Sequence, residues 1–419
     1  MEESRNRLSM DPALLRGLTQ RRISRRDALK YGGMGTVAAF LAACGVSGTQ
    51  TPQRTPAGAD LNRIYGKGKT GVLDFANWEE YIDLNEKGDS PTLLRFEKET
   101  GIKVNYKTVI NDNNPFLARI IQSLQAGQGS GYDLIVITNG GPIERMIKLG
   151  FLTPLDHKRL PNFARYAGPG VKNPAYDPGN KYTVAWQSGF TGIAYNSKVV
   201  KTRPTSFRDL LNPEYKGRVG MFANNQDLPC PALVNMGFDV QKSTPDQWRQ
   251  AAEVLTKQRD DGIVRKYYDQ SYIDALENGD IVITQAWSGD IFQSAAPKDY
   301  GGRGFSELKF ALPQEGGILW TDNMAIPLRA EHPVDAITFM NFVYDPQVAA
   351  NLAAWIWYVS PVPAAKDVVL NELEDPVAAN SPLIFPSLED QQRAHKYKVF
   401  RDAAEEEEWN SIFQPIFTA

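Results

Sequence analysis

Aromatic and acidic residues occur together at four places in the 419-residue sequence, and each place is predicted to lie beside the end of a strand. The four segments are 77–81 (NWEEY), 286–290 (AWSGD), 317–322 (GILWTD) and 355–358 (WIWY). Exposing an indole and burying a carboxylate are both unfavourable, so the combination suits a cleft that is partly apolar. A single tryptophan packs in the core more often than it meets a ligand, but the joint pattern favours one shared site.

A diamine or polyamine would match such a cleft, because it is an apolar methylene chain that carries ammonium groups. Aromatic faces attract a cation by ~0.5–2 kcal/mol each, and burial of four methylenes adds about 3 kcal/mol. Carboxylates at the ends of the cleft add electrostatic attraction. After the cost of association, the sum is compatible with about −8 kcal/mol, which is micromolar binding. A neutral sugar would use the aromatic residues but leave the acids with less to bind.

Strand-like and helix-like segments alternate from Thr70 onward, and this alternation predicts an α/β fold. In the first series, strands 72–76, 102–109 and 133–137 alternate with helices within 90–100, 115–126 and 142–149. The second series has strands or extended segments at 262–267, 280–286 and 320–327, with helices at 271–277 and 334–344. Such repeats predict mostly parallel sheets that bind ligands at the carboxyl ends of their strands. Two separate series predict two lobes.

Charge and composition restrict the partners. Apolar residues make up 42% of the chain and charged residues 23%, as in an ordinary globular protein. Residues 1–43 contain eight Lys or Arg and four Asp or Glu, which leaves 38 basic and 45 acidic side chains, a net charge near −7, in the other 376 residues. The sequence lacks the Lys/Arg clusters that bind phosphate backbones, so we expect no nucleic-acid partner.

The sequence offers no recognisable metal centre, cofactor motif or catalytic set. Its cysteines and histidines lack metal-ligand spacing, and we expect Cys230 to be a buried, unreactive thiol. Residues 66–71 (GKGKTG) match a dinucleotide-binding pattern, but a strand follows them where that motif requires a helix. Neither a G-x-S-x-G nor an H-E-x-x-H motif is present, and residues 405–408 (EEEE) are interpreted as a solvated acidic run. We therefore expect no cofactor, no metal and no enzymatic activity.

The first 44 residues have the features of an export signal. Residues 21–30 (RRISRRDALK) are basic, and residues 31–43 form a short uncharged stretch before Cys44. That stretch is too short for a permanent membrane helix, which needs about 20 residues. Residues 24–30 resemble a twin-arginine signal, with Ala28 where phenylalanine is usual, and residues 41–44 (LAAC) resemble a bacterial lipobox. A buried amphipathic first helix is the alternative interpretation.

Residues 45–69 are rich in Gly, Pro and Thr and cannot bury a core, so they are predicted to form a flexible tether. We expect residues 1–44 to be the signal peptide, with Cys44 lipidated, and the folded part to start near Thr70. The protein would then be anchored at the outer face of the cytoplasmic membrane.

From about Gly71 to Tyr358 the chain resembles the spermidine/putrescine-binding proteins of ABC importers. The resemblance rests on segment 77–81 together with segments 96–104 (FEKETGIKV), 211–217 (LNPEYKG), 316–322 (GGILWTD) and 325–327 (AIP). The FEKETG piece alone is common to many solute-binding families, whereas the full set is more specific. The match is poorer in the last 60 residues.

The resemblance implies a two-lobe, periplasmic-binding-protein-like fold of type II, in which each lobe is a mostly parallel sheet flanked by helices. Lobe 1 would contain residues 70–188 and 323–356, and lobe 2 residues 189–322 and 357–419. Hinge strands would cross near Ser188, Asp322 and Trp357. A monomer of this kind would close over a polyamine and deliver it to an ABC permease.

The resemblance also implies ten ligand-binding residues, drawn from both lobes. They are Trp78, Glu80, Tyr81, Thr138, Asp227, Trp287, Asp290, Trp320, Asp322 and Tyr358. The indoles of Trp287 and Trp320 would stack on the methylene chain, and Asp322 would hold an ammonium group.

Two departures from the family pattern affect the expected ligand. Residues 138–141 (TNGG) fall where the family often has Ser-Thr-Tyr-Tyr, so one aromatic wall of the cleft is missing. Asn224 falls where spermidine binders have an aspartate, which removes one anionic contact. Both differences predict a shorter or differently shaped amine.

Other functions stay open from the sequence alone. The chain could bind another solute, such as an aminophosphonate, thiamine or a metal complex; an anion site would bring helix N-termini and Arg together. An exported enzyme would need a nucleophile with its base or two carboxylates with separated pKa values. A purely structural or adhesive surface protein is the remaining alternative.

The lipid-anchor hypothesis predicts the behaviour of the Cys44→Ser variant. Loss of the thiol removes the lipid attachment point, so the variant should leave the membrane fraction when cells are fractionated. The unsubstituted chain provides the membrane-bound control. Unchanged membrane association of the variant would contradict lipidation at Cys44.

Overall fold

A computed structural model describes residues 60–79, 81–85, 87–110, 113–298 and 302–418. The predicted signal peptide with Cys44, residues 45–59 of the predicted tether, and the site candidate Glu80 lie outside the described residues. Within the described part, no helix is both long and apolar enough to cross a membrane.

The described residues contain nine strands and fifteen α-helices. Strands β1 to β9 are Val72–Trp78, Lys103–Ile110, Leu134–Thr138, Thr183–Asn196, Val219–Phe222, Val264–Tyr268, Ile283–Trp287, Leu308–Ala311 and Ile318–Ala325. Helices α1 to α15 are Leu61–Tyr65, Pro91–Thr100, Asn113–Gln125, Pro142–Leu149, Pro161–Tyr166, Pro229–Asn235, Pro245–Asp260, Tyr272–Glu277, Ser288–Ala295, Pro333–Phe342, Pro346–Ile356, Ala365–Asn371, Pro376–Ala379, Leu388–Arg393 and Ala403–Thr418. Short 3-10 helices lie at His157–Arg159, Pro169–Val171, Pro178–Asn180, Phe207–Leu211 and Pro213–Tyr215.

The strands form one continuous sheet with the order β2-β1-β3-β9-β4-β7-β5-β6, and β8 pairs with β4. At one end, β1 pairs in parallel with β2 and β3; at the other, β5 pairs in parallel with β6 and β7. The antiparallel strands β4 and β9 connect the two parallel halves. This mixed α/β arrangement confirms the predicted two-lobe fold class.

Local sequence explains the ends of α2, which was predicted from its capping residues. The Ser90 side chain accepts a hydrogen bond from the Leu93 amide, and Pro91 occupies the first helical position. Gly101 ends the helix with φ of 73°, a left-handed conformation that glycine adopts without a Cβ clash.

Ordered structure begins earlier than the sequence predicted. Helix α1 lies inside residues 45–69, the segment expected to be a tether. Asp60 caps the helix, and Tyr65 is buried with its hydroxyl donating to the Pro154 carbonyl at 3.0 Å. A single aromatic side chain therefore anchors the end of a segment whose composition alone is typical of a linker.

A cluster of aromatic side chains joins β1, β4 and α10. Phe75 contacts Trp186 at a ring-centroid distance of 6.0 Å and Phe339 at 5.2 Å. All three side chains are fully buried, and burial of a side chain of this size stabilises the fold by about 1.5–3 kcal/mol. The cluster fixes β4 against the first parallel half of the sheet.

Strand β4 aligns the carboxyl ends of the two halves. Gln187 of β4 pairs with Asp322, which also pairs with Thr138 at the end of β3. Four residues further along β4, Thr191 pairs with Trp287 at the end of β7. The carboxyl edges of the two halves therefore face each other across about 13 Å of β4, at roughly 3.3 Å per residue.

The chain after β9 packs against both halves of the molecule. Helix α12 packs on α11, and α15 packs on α7 through Trp409 and Trp248, whose ring centroids are 5.2 Å apart. Cys230 in α6 is a free, buried thiol, as predicted, and burial raises its pKa well above the ordinary value.

Candidate functional site

Asp322 lies at the centre of the predicted site. Its Oδ2 accepts a 2.7 Å hydrogen bond from the Tyr81 hydroxyl, and its Oδ1 accepts a 2.6 Å hydrogen bond from the Thr138 hydroxyl. The three residues come from different segments, and the β3–β9 register brings Thr138 directly opposite Asp322. Asp322 is only 6% exposed. The prediction that Asp322, Tyr81 and Thr138 share one site is consistent with this geometry.

The Asp322 carboxylate has no positively charged partner among the described residues. None of the ion pairs in this part of the chain includes Asp322 or Asp227. Burial raises the pKa of Asp322 from 3.8 to about 6, and the hydrogen bonds from Thr138 and Tyr81 oppose that rise. The site therefore holds a carboxylate whose ionised form would be stabilised by a cation.

Asp290 is the second buried carboxylate of the site. Its Oδ2 accepts a 2.7 Å hydrogen bond from the Tyr272 hydroxyl, and its Oδ1 accepts a 3.0 Å hydrogen bond from the Tyr358 hydroxyl. Asp290 lies in the first turn of α9, which begins directly after β7. An anion is favoured at the N-terminus of a helix, so the local structure helps to hold this carboxylate.

Aromatic rings connect the two carboxylates. The Tyr81 and Tyr358 rings meet edge to face at 5.9 Å, and Trp320 lies 5.4 Å from Tyr358. A Cβ atom at Gly189 would lie 2.4 Å from the Trp320 ring, and one at Gly289 would lie 2.5 Å from the Tyr358 ring. These glycines are therefore needed for the rings to approach the backbone.

Trp287 forms a second aromatic group in the other half. Its ring stacks on Phe222 at 4.6 Å with an interplanar angle of 23°, and Tyr272 meets it edge to face at 6.2 Å. Trp78 makes different contacts, because its indole nitrogen donates to the Val136 carbonyl at 3.1 Å and the side chain is half-buried beside β3. The contacts of Trp78 thus tie it to β3, outside the tyrosine–carboxylate network.

Asp227 is buried at the Trp287 end of the site. Its Oδ1 accepts 2.6 Å hydrogen bonds from both Thr191 and Tyr397. Burial raises its pKa, and hydrogen bonds from Thr191, Tyr397, Asn224 and Trp287 oppose the rise. Asn224 also shapes the loop, since its Oδ1 accepts from the backbone amide of Asp227 at 2.7 Å.

Segment 355–358 differs from the prediction that it would follow a strand. Trp355 and Ile356 belong to the last turn of α11, and Trp357 ends this helix in a left-handed conformation with φ of 61°. The helical ending turns the chain so that Val359 forms a bridge with Ser188 of β4. Tyr358 reaches the site through this turn.

Several neighbours of the site were missed by the sequence analysis. They are Gln187, Thr191, Gln226, Tyr272 and Tyr397. Gln187 is opposite Asp322 in the sheet, and its buried Oε1 has no hydrogen-bond donor among the described residues. A glutamine between apolar residues of a long buried strand was the available signal. Tyr397 lies where the family resemblance is poor, so no motif could indicate it.

One possible metal-ligand group lies away from this site. Asp74, Asp133 and His332 offer ligand atoms within 4.8 Å of one another, at the amino ends of β1 and β3. The Asp133 carboxylate accepts hydrogen bonds from the Asp74 and His332 amides, and Asp74 forms an ion pair with Lys107 at 3.3 Å. These contacts fasten the loop before α10 to the sheet.

Comparison with known proteins identifies the family. The family model described as bacterial extracellular solute-binding protein matches residues 130–386. The chain belongs to this family. It is 30% identical over 323 residues to the spermidine/putrescine-binding periplasmic protein of Escherichia coli, across 76% of this chain and 84% of that one. It is 29% identical over 341 residues to the putrescine-binding periplasmic protein PotF of the same organism, across 78% of this chain and 86% of the other.

Solved structures of this solute-binding family share the fold. The spermidine/putrescine transporter substrate-binding protein PotD of Streptococcus pneumoniae gives a TM-score of 0.69 at 24% identity, covering 83% of this chain and 98% of that one. A PotD-type lipoprotein of Treponema pallidum gives 0.67 at 21% identity, covering 83% of this chain and all of the other. Membership in the family confirms the prediction of an extracytoplasmic binding protein rather than an enzyme.

The raised pKa of Asp322 predicts pH-dependent binding of a cationic ligand. A cation favours the ionised carboxylate, so affinity should increase as pH rises through about 6. For one group with this pKa, affinity at pH 7 should exceed that at pH 5 by about tenfold. Calorimetry at the two pH values measures the ratio, and a ratio of one would contradict the role of Asp322. In the ligand-free protein the sign is opposite: proton uptake stabilises the fold as pH falls from 6 towards 4.

Proposed function

We propose that this chain is the solute-binding component of an ABC importer and captures a diamine or polyamine between its two lobes. The observation that carries the proposal is a pair of buried carboxylates, Asp322 and Asp290, joined by contacting tyrosine rings. The names of its relatives support the same ligand class, since several are described as spermidine- or putrescine-binding.

The site matches an alkyl diamine in both charge and shape. Each ammonium group donates up to three hydrogen bonds, and a buried carboxylate is a strong acceptor for them. In the proposed complex, one ammonium contacts Asp322 and the Oε1 of Gln187, and the other contacts Asp290. The aromatic side chains of Trp320 and Tyr358 cover the methylenes between the two ends and attract the cations through their faces.

We propose that the lobes divide as residues 70–188 with 323–356, and 189–322 with 357–419, around the crossing at Ser188. Contacts across the gap support a closing motion: the Gln226 side chain donates to the carbonyls of Asn139 and Gly140 at 2.8 and 3.0 Å. In the last segment, α12 packs on α11 of the first lobe, whereas α15 packs on α7 of the second. The C-terminal segment therefore contacts both proposed lobes.

Export by a twin-arginine signal and lipidation of Cys44 are part of the proposal. The sequence features at residues 24–30 and 41–44 support them, as does the PotD-type lipoprotein among the structural relatives. The anchored protein would act as a monomer that releases its cargo to an ABC permease.

Calorimetric titration of the purified protein tests the ligand class directly. Putrescine or spermidine should bind in a 1:1 complex, and Asp322→Asn should weaken binding by at least about thirtyfold, because one ammonium loses its charged partner. Melting of the ligand-free variant should occur at or above the wild-type temperature, since an uncompensated buried charge is removed. Asp246→Asn, at a side chain that is 89% exposed, is the matched control and should leave affinity unchanged.

The same titration includes thiamine and aminophosphonates as competing ligands. Binding of one of these with no response to any amine would contradict the polyamine assignment. Equal amine affinity in wild type and Asp322→Asn would contradict the assigned site.

A further inference from the structure

Tyr397 fills the position beside Gly140 in the segment that lacks the family's aromatic wall. A Cβ atom at Gly140 would lie 2.6 Å from the Tyr397 Cβ and 2.8 Å from its Cγ. Gly140 also has φ of 86°, which disfavours a side chain at this position. A larger residue at 140 and the Tyr397 ring therefore exclude each other.

Tyr397 is also connected to the site through its hydroxyl. The hydroxyl donates to Asp227 Oδ1 at 2.6 Å, and Thr191 donates to the same oxygen. Tyr397 is 4% exposed. The ring therefore reaches from Gly140 in the first half of the sheet to Asp227 in the second, where it closes one end of the site.

The segment that carries Tyr397 is fastened on both sides. In the first half, Lys148 donates to the Phe400 carbonyl and Arg145 forms an ion pair with Glu406. In the second, the Trp409 indole donates to the Asn225 carbonyl at 2.7 Å, two residues before Asp227. These contacts hold the tyrosine against the site as part of the built structure.

The acidic run at 405–408 takes part in this fastening, which corrects its interpretation as a solvated run. Glu406 pairs with Arg145, Glu405 lies 3.2 Å from Lys398, and Glu408 lies 2.7 Å from Arg249. The basic partners come from α4, α7 and the preceding loop, so only the tertiary fold brings them to the run.

We propose that Tyr397 is a specificity-determining wall of the site, which limits it to short diamines. The inference rests on the proposed function, because it concerns the length of the amine. A longer polyamine carries an additional ammonium group that would extend towards Asp227. There the Tyr397 ring occupies the space and its hydroxyl already engages the carboxylate, so the longer ligand must displace the ring.

Calorimetry with 1,4-diaminobutane and spermidine tests the wall in the full protein. Wild type should prefer the diamine, and Tyr397→Ala should reduce the ratio of diamine to spermidine affinity by about tenfold or more, through loss of the ring and release of Asp227. Tyr397→Leu, which keeps apolar contact in this segment, should shift the ratio in the same direction. Phe400→Ala is the matched control: it loosens the same segment away from Asp227 and should preserve the ratio.

The outcomes separate the wall from the proposed function. If wild type binds neither amine, the polyamine assignment fails and the wall fails with it. If wild type binds amines but the folded Tyr397→Ala and Tyr397→Leu proteins keep the wild-type ratio, the wall is wrong and the assignment stands. An equal shift in Phe400→Ala would also overturn the wall, because segment packing alone would then set selectivity. Thermal melting establishes which variants are folded.

Discussion

A carboxylate removed from water needs compensation for its lost hydration, and this requirement governs the candidate site. The penalty is several kcal/mol per ion even after the protein relaxes around it. Asp322 receives two hydroxyl hydrogen bonds, which stabilise the anion without neutralising it. Its raised pKa reflects this incomplete compensation. The remainder must come from a proton or from a cation that enters the site.

The sheet topology places this requirement between two lobes. The crossing strands β4 and β9 bring the carboxyl ends of one parallel half opposite those of the other. The Asp322 end is completed by Tyr81 and Thr138, and the Asp290 end by Tyr272 and Tyr358. Neither half alone contains both carboxylates with the rings between them. A solute that bridges the two ends would therefore favour the closed arrangement of the lobes.

Sequence patterns were sufficient where a property is local. Alternation of strands and helices predicted the α/β fold, and the capping residues of α2 marked its ends. Trp320 and Asp322 stood out because an indole and an acid are unusual neighbours within an apolar strand. Relatives with the same family pattern explain why the fold and the general role were predictable from the segments that carry the resemblance.

Sequence patterns failed where strand pairing or distant contacts decide the outcome. Gln187 joins the site only because a bulge in β4 sets it opposite Asp322. Tyr65 anchors α1 through a contact 89 residues away, which a linker-like composition conceals. Tyr397 and Glu406 acquire their partners from the opposite half of the sheet, in a segment with little family resemblance.

A crystal structure of the protein with 1,4-diaminobutane provides the most direct test of charge compensation at Asp322. The account predicts one ammonium nitrogen within about 2.7–2.9 Å of an Asp322 oxygen, the usual distance for a charged hydrogen bond. The second nitrogen should contact Asp290, with the methylenes against Trp320 and Tyr358. A diamine bound elsewhere, with Asp322 still contacting only Tyr81 and Thr138, would contradict the account.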